Sequence, residues 1–400
     1  MEVSPGYMLT EVGVIPEDWK IAPFAVLGSV IDGDRGVNYP GSRDFASDGH
    51  CLFLNAGNVT RAGFRFTECA FVSREKDERL SKGKLKRNDI VLTTRGTVGN
   101  FAYFDEVVPF KNMRINSGMV ILRNESAAVD TNFLYRLLQS HILDEQVERL
   151  TFGSAQPQLT VKAISTFLIV VPPFQEQLAI ATALSAADEL LSGLDSLITK
   201  KRDLKLAAMN QLLTGQTRLP GYQGEWAVRS LGELAMVSKG TQLRSSDLDE
   251  AGQFAHLNGG TTPSGYTSKS NTNARTIAIS EGGNSCGYVQ FMEQPYWCGG
   301  HCYSVIPNTV KTRFLYQALK AQQPAIMALR VGSGLPNVQK TALKAFKVKI
   351  PISADEQTMI AEILSNMDAE LTVLQARRAK TSALKQAMMQ ELLTGRTRLI

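Results

Sequence analysis

The chain is written twice. Displaced by 180 residues, Glu176–Leu219 lies over Glu356–Leu399 without a gap, and about half of the aligned positions are identical. The matches include Glu176/Glu356, Gln177/Gln357, Ile180/Ile360, Leu184/Leu364, Asp188/Asp368, Leu191/Leu371, Leu194/Leu374 and Lys200/Lys380. The likeness continues upstream with small insertions: "GSAQPQL" (153–159) over "GSGLPNV" (332–338), and Phe133–Tyr135 over Phe314–Tyr316. Both halves also open alike, around Trp19 and Trp226. Between these anchors, at about 30–130 and 240–310, almost no identity remains. A period this long describes a duplicated domain, not a solenoid. The expected boundaries are a variable module at 1–152, a conserved segment at 153–219, a second variable module at 220–331 and a second conserved segment at 332–400.

The conserved segments read as helices. Ile180, Leu184, Ala187, Leu191, Leu194 and Ile198 recur at alternating spacings of four and three, as do Ile360, Leu364, Met367, Leu371 and Leu374. The repeat slips in phase between Ile198 and Leu204 and between Leu374 and Leu384, where "TKKRDLK" and "QARRAK" cluster basic residues. Gly215 and Gly395 suit helix C-caps. Each helix then runs about 40 residues, or about 60 Å. A helix that long with one apolar stripe needs a partner, and the nearest is its own duplicate. Antiparallel pairing relates the two modules by an approximate two-fold axis; the alternative is that each helix packs on its own module. The expected class is α+β: two β-rich modules joined by two long helices in an antiparallel coiled coil.

With 400 residues, 44% of them hydrophobic and 20% charged, the chain reads as a soluble globular protein of two or three domains. The net charge of +5 arises almost wholly after Pro220 and hints at an acidic partner. Five scattered cysteines suit reduced thiols in the cytoplasm. No secretory leader or membrane-spanning run is legible.

The strings "IPEDW", "GSAQPQL…PPFQEQLAI", "NQLLTGQTRLPGYQGEW", "GSGLPNV", "DEQTMIAEIL" and "ELLTGRTRL" resemble the specificity subunits of type I restriction–modification systems, over the whole chain and in order. One departure is "IPISADEQ" where the first copy has "VPPFQEQ", which implies a looser start to the second helix. The resemblance implies two target-recognition domains, each reading half of a split DNA sequence, with the helices as spacer. It implies no catalytic activity and no cofactor in this chain. Two modification subunits would methylate adenine with S-adenosylmethionine, and restriction subunits would use ATP and Mg to translocate and cleave double-stranded DNA.

Candidate DNA-binding residues follow from loops between short strands. In "DGDRGVNYPGS" (32–42) they are Arg35, Asn38 and Tyr39; in "SKGTQLRSS" (238–246) they are Lys239, Gln242 and Arg244. Thr94-Arg95-Gly96 falls where Ser280-Glu281-Gly282 falls. Arg95 suits guanine and Glu281 suits cytosine, so one slot reads different bases; the alternative is a phosphate contact by Arg95 and a local pair for Glu281. Asn284, Lys111 and Arg114 complete the set. The run 73–87 is mixed in sign and reads as solvated surface, although Lys82, Lys84, Lys86 and Arg87 are within reach of phosphates as a class. The leucine-rich helix exits, Leu212–Leu219 and Leu392–Leu399, and the basic slip segments are candidate docking surfaces for other subunits.

Catalytic motifs are missing. "VPPF" (171–174) has Val171 where an adenine methyltransferase needs an Asn or Asp, and no phosphate-binding glycine loop is present. "EDWK" lacks an upstream acid, and Trp19 reads as a packing anchor. Cys286, Cys298, His301 and Cys302 fit zinc spacing poorly. A stand-alone methyltransferase or nuclease with diverged motifs, and a coiled-coil scaffold that binds no DNA, are the competing readings.

Overall fold

A computed structural model describes residues 4–151, 158–332 and 334–399, so most of the string at 153–159 lies outside the described residues. The chain folds as two compact units, residues 1–193 with 378–400, and residues 194–377. This division differs from the four sequence blocks because it cuts each conserved helix in two.

The first unit holds strands β1 (Lys20–Pro23), β2 (Gly28–Asp32), β3 (Cys51–Phe53), β4 (Phe71–Val72), β5 (Ile90–Thr93), β6 (Phe101–Tyr103), β7 (Met113–Arg114) and β8 (Met119–Asn124). Helices α1 (Thr131–Leu138) and α2 (His141–Thr151), strand β9 (Leu168–Val171) and the long helix α3 (Phe174–Leu212) follow. A main sheet has the order β6-β5-β8-β2, and a smaller sheet the order β7-β3-β4 with β7 and β3 parallel. β9 pairs antiparallel with β1.

The second unit repeats this plan. Its strands are β10 (Trp226–Ser230), β11 (Ala235–Lys239), β12 (Phe254–Leu257), β13 (Gly265–Thr267), β14 (Thr276–Ser280), β15 (Val289–Met292), β16 (Tyr296–Cys298) and β17 (Cys302–Pro307). They are followed by helix α4 (Thr312–Ala321), strand β18 (Lys347–Pro351) and helix α5 (Ala354–Leu392). The main sheet runs β15-β14-β17-β11 and the smaller one β16-β12-β13, with β12 and β16 parallel. β10 pairs antiparallel with β18. The order and direction of the strands in both sheets and in the β10–β18 pair match the first unit, although the sequences of the modules do not; the first unit adds two short hairpins, Tyr7–Thr10 with Gly13–Pro16 and Val59–Thr60 with Gly63–Phe64.

The central strands are apolar on both faces, so they read as runs and not as alternations. Ile90, Leu92, Val120 and Leu122 face one core with the helices; Val91, Met119 and Ile121 face a second with the smaller sheet. In the second unit Ile277, Ile279, Tyr303 and Val305 face the helix side, and Ala278 and Cys302 the other.

α3 and α5 are each 39 residues long. Within the first unit, Ile180 and Leu184 of α3 share a core with Leu392 and Leu393, while Lys385 pairs with Asp188 at 2.6 Å. Within the second, Ile360 and Leu364 of α5 share a core with Met209, Leu212 and Leu213, while Lys201 pairs with Glu370 and Lys205 with Asp368. Residue numbers rise along one helix as they fall along the other, so the pairing is antiparallel in each unit. Both expected packings occur together: each helix begins on its own module, and the end of the other helix joins it there.

The phase slip does not occur. The seam continues from Ile198 through Lys201, Lys205, Ala208 and Leu212 at unbroken heptad spacing, and the lysines on it reach acidic residues of the facing helix. Leu204 and Leu384, which suggested the slip, are 48% and 59% exposed and lie off the seam. Lysine is disguised as a break in the pattern because its apolar stem packs while its ammonium escapes to a partner.

The repeated exit string is a fastening. Arg398 donates to both oxygens of Glu176 at 2.5 and 2.7 Å, and Arg218 to both oxygens of Glu356 at 2.7 and 2.8 Å. The arginine that leaves each helix therefore grips the glutamate that opens the other, and both glutamates are buried. The turn that delivers each arginine needs Gly215 and Gly395, at φ +68° and +70°. The neighbouring Gln177 donates to the carbonyl of Pro172 and accepts from the Asp130 amide before α1; Gln357 does the same with Pro351 and Lys311 before α4. The second helix is thus braced like the first. Where the proline pair is lost, the Ser353 hydroxyl accepts from the Glu356 amide, so the expected looser start is not seen. Trp19 is buried and donates to Glu176 at 3.1 Å, as an anchor should, and Asp18 of "EDWK" is held by Arg398. That arginine holds the Asp18 carboxyl below its ordinary range.

Candidate nucleic-acid interface

In the first module the loop after β2 and the turns around β5 and β8 bring several candidates together. Arg35 pairs with Asp32 and donates to the Ser117 carbonyl, both at 3.3 Å. The Tyr39 hydroxyl accepts from the Ser117 amide at 3.4 Å. Thr94 is buried and its hydroxyl donates to the Gly118 carbonyl at 3.0 Å, one residue along the same turn. Arg95 is exposed and lies against Gln158, whose amide oxygen accepts from its Nε and Nη2 at 3.3 and 2.9 Å. Asn38, also exposed, donates to the Arg79 carbonyl at 3.3 Å. The loop is held from below by Asp34, whose carboxylate accepts from the amides of Gly36 and Ser81 and from the Ser81 hydroxyl. The Gly36 amide, chief among these donors, lowers the Asp34 pKa to about 2.

Lys111 is exposed, but Arg114 is not a surface cation. It is 5% exposed, its Nε meets the fully buried Asp77, and its other nitrogens donate to the carbonyls of Lys82, Asp77 and Leu80. Lys84 also pairs with Asp77, and Arg87 donates to the carbonyls of Val108 and Phe110. The run 73–87 is therefore partly interior, while Lys82 and Lys86 stay on the surface. The sign of a side chain was legible; its burial depended on strand β7, which places Arg114 opposite Phe53.

The second module presents a polar groove of about 330 Å³ lined by Lys239, Glu281, His301, Tyr303, Asn337 and Lys340, among others. Lys239 donates to Glu281 Oε1 at 2.8 Å, and the Tyr303 hydroxyl meets the same oxygen at 2.9 Å. Burial and the carboxylate beside it raise the Tyr303 pKa above the ordinary phenol range. Gln242, Arg244 and Asn284 are exposed around the groove's module, whereas Ser280 is fully buried and its hydroxyl points back to the Gly282 carbonyl. His301, Tyr303, Asn337 and Lys340 were not among the sequence candidates for DNA contact. Asn337 had a signal, since it repeats Gln158.

The slot shared by the two modules is displaced by one residue from the sequence match. The Thr94 amide donates to Gly118 and its carbonyl accepts from Leu159; the Glu281 amide donates to His301 and its carbonyl accepts from Val338. Thr94 is thus the counterpart of Glu281, and Arg95 of Gly282. The turn after β14 is one residue longer: Ser280 bonds Tyr288, where Thr93 bonds Asn100. The two candidates Arg95 and Glu281 do not occupy one slot, so the expected one-for-one exchange of base readers is withdrawn.

Cys286 lies in the helix-side core, while Cys298 and Cys302 lie in the smaller one and the adjacent His301 is exposed, so the four do not converge. No group of three or more potential metal ligands occurs among the described residues. No described helix is long and apolar enough to cross a membrane.

Comparison with known proteins follows the same division. The family profile of the type I restriction modification DNA specificity domain matches residues 16–200 and again 223–381. A chain of Mycoplasma pneumoniae named as a type I specificity subunit is 34% identical over 149 residues, 36% of this chain and 40% of that one. The type I restriction enzyme MjaVIII specificity subunit of Methanocaldococcus jannaschii is 27% identical, over 52% of this chain and 49% of its own. The aligned part thus spans less than half the length of these curated relatives. The crystal structure of a type I restriction–modification S subunit from M. genitalium superposes with a TM-score of 0.70 at 21% identity, covering 98% of both chains, which establishes the shared fold. With its domain matched twice over most of its length, the chain belongs to the type I restriction–modification DNA specificity family.

Proposed function

We propose that the chain is the DNA-reading subunit of a type I restriction–modification complex, without an active site of its own. Each module reads one half of a split sequence in double-stranded DNA, and α3 with α5 sets the unspecified gap. Two modification subunits methylate adenine in that target using S-adenosylmethionine, and restriction subunits use ATP and Mg on unmodified DNA. The complex works in the cytoplasm. One observation carries this reading: the modules share a strand order and hydrogen-bond register, yet carry unlike side chains at matching places, Asp32 against Lys239 and the buried Thr94 against Glu281. Two scaffolds built alike with different contact groups suit two different half-sites. Arg35, Asn38, Tyr39, Arg95 and Lys111 are the proposed contacts in the first module, and Lys239, Gln242, Arg244, Glu281 and Asn284 in the second.

Methylome sequencing of a host that expresses the chain with its modification subunit tests the proposal, the expected result being one bipartite methylated motif. Methyl transfer by the purified chain alone would overturn it in favour of an enzyme. The spacer has its own test. Inserting one heptad into each long helix, about 10 Å, should widen the gap by about three base pairs at about 3.4 Å each and leave both half-sites unchanged. A changed half-site with an unchanged gap would remove the helices from that role.

A further inference from the structure

We infer that Oε2 of Glu281 is a base-reading acceptor that takes the exocyclic amino group of a cytosine or an adenine in the half-site of the second module. The inference rests on the DNA-reading proposal above. The two oxygens of this carboxylate are unlike. Oε1 is occupied by Lys239 at 2.8 Å and by the Tyr303 hydroxyl at 2.9 Å. Oε2 has no hydrogen-bond partner and almost no accessible surface; the imidazole Nδ1 of the exposed His301 lies 3.9 Å from it. The residue is pinned on both sides, since its amide donates to His301 at 2.9 Å and its carbonyl accepts from Val338 at 2.8 Å. A lone acceptor is therefore held just beneath the surface of a polar groove, where leaving it unpaired costs free energy that a donor restores once the neighbouring side chains shift to admit it.

The chemistry of the ligand follows. A carboxylate oxygen repels phosphate and the acceptor atoms O6, N7 and O4. The donors on the major-groove edge are cytosine N4 and adenine N6. In the first module the matching residue, Thr94, spends its hydroxyl on the Gly118 carbonyl, so this reader belongs to one half-site alone.

Glu281→Gln makes a sharp test. Lys239 can only donate, so the new amide keeps its oxygen on Lys239 and turns its NH2 into the groove. The full-length chain with its modification subunit, wild type and variant, is used to select from a pool of duplexes with randomised positions. At one position of the second half-site the preference should move from cytosine or adenine to thymine or guanine, by about tenfold or more. Which base the wild type selects distinguishes cytosine from adenine. The first half-site, enriched unchanged in the same selection, reports that the variant is folded. A variant that keeps the wild-type profile, or one weakened equally at every position, overturns the inference and leaves the proposed function standing. A wild-type chain that enriches no sequence overturns both. Glu281→Ala should abolish the preference at that position without creating a new one.

Discussion

The two modules share their four-stranded and three-stranded sheets and almost no interior polar chemistry. The first buries a charge pair, Asp77 with Arg114. The second buries a neutral imidazole, His256, whose two ring nitrogens have no hydrogen-bond partner. Apolar runs that fill both faces of the central strands set the topology in each; the polar interior is free to differ so long as each group is satisfied or neutral. The comparison extends to the fastenings. Glu176 takes Arg398 and the Trp19 indole, and Arg398 also reaches Asp18, whereas Glu356 takes Arg218 and the indole nitrogen of Trp226 has no partner.

The largest effect should come from the charge buried in one module only. Arg114→Ala leaves Asp77 in the interior with Lys84 as its remaining close ion-pair partner and strips the carbonyls of Asp77, Leu80 and Lys82 of a charged donor. It should cost about 3 kcal/mol, read by hydrogen exchange as lost protection in the first unit while the second keeps its own. Equal loss in both units would show that the modules are not independent in stability. Among the fastenings, Arg218→Ala should destabilise more than Arg398→Ala, because Glu176 retains the Trp19 donor while Glu356 is stranded; the order of the two denaturation midpoints checks this.

A smaller effect, about 1–2 kcal/mol from a left-handed backbone alone, is expected at the cap glycines. Gly395→Ala should exceed Gly215→Ala, since an added Cβ would stand 2.5 Å from Pro16 in the first unit but 3.1 Å from Trp226 in the second. Comparing melting temperatures of the two variants decides it.

The smallest effect is a difference in acid response. Burial lowers the His256 pKa, so the folded imidazole stays neutral while the unfolded one takes a proton below about pH 6.5. Stability of the second unit should fall as pH drops through that point, by at most about 1.4 kcal/mol per pH unit. Asp34 acts in the first unit with its pKa depressed to about 2, so its contribution is complete above about pH 4 and lost only as pH falls toward about 2. Between about pH 6.5 and 4 these groups weaken the second unit alone. His256→Phe should flatten that slope in pH-dependent hydrogen exchange; an unchanged slope would assign it elsewhere.

The amino-acid sequence by itself determined the duplication, the two long helices, their cap glycines and most of the seam, because helical periodicity and capping are properties of neighbours three or four residues apart. It also marked Trp19, Glu176 and Gln177 as repeated, without showing what they hold. Only the tertiary structure decided that Arg398 closes on Glu176, 222 residues away, and Arg218 on Glu356, 138 away. It decided as well that Lys201 and Lys205 stay on the seam, that Arg114 is interior, and that Thr94, not Arg95, matches Glu281. Each of these depends on which strand or helix lies alongside, and hydrogen-bond register across a sheet shifts with a single added turn residue that no local pattern records.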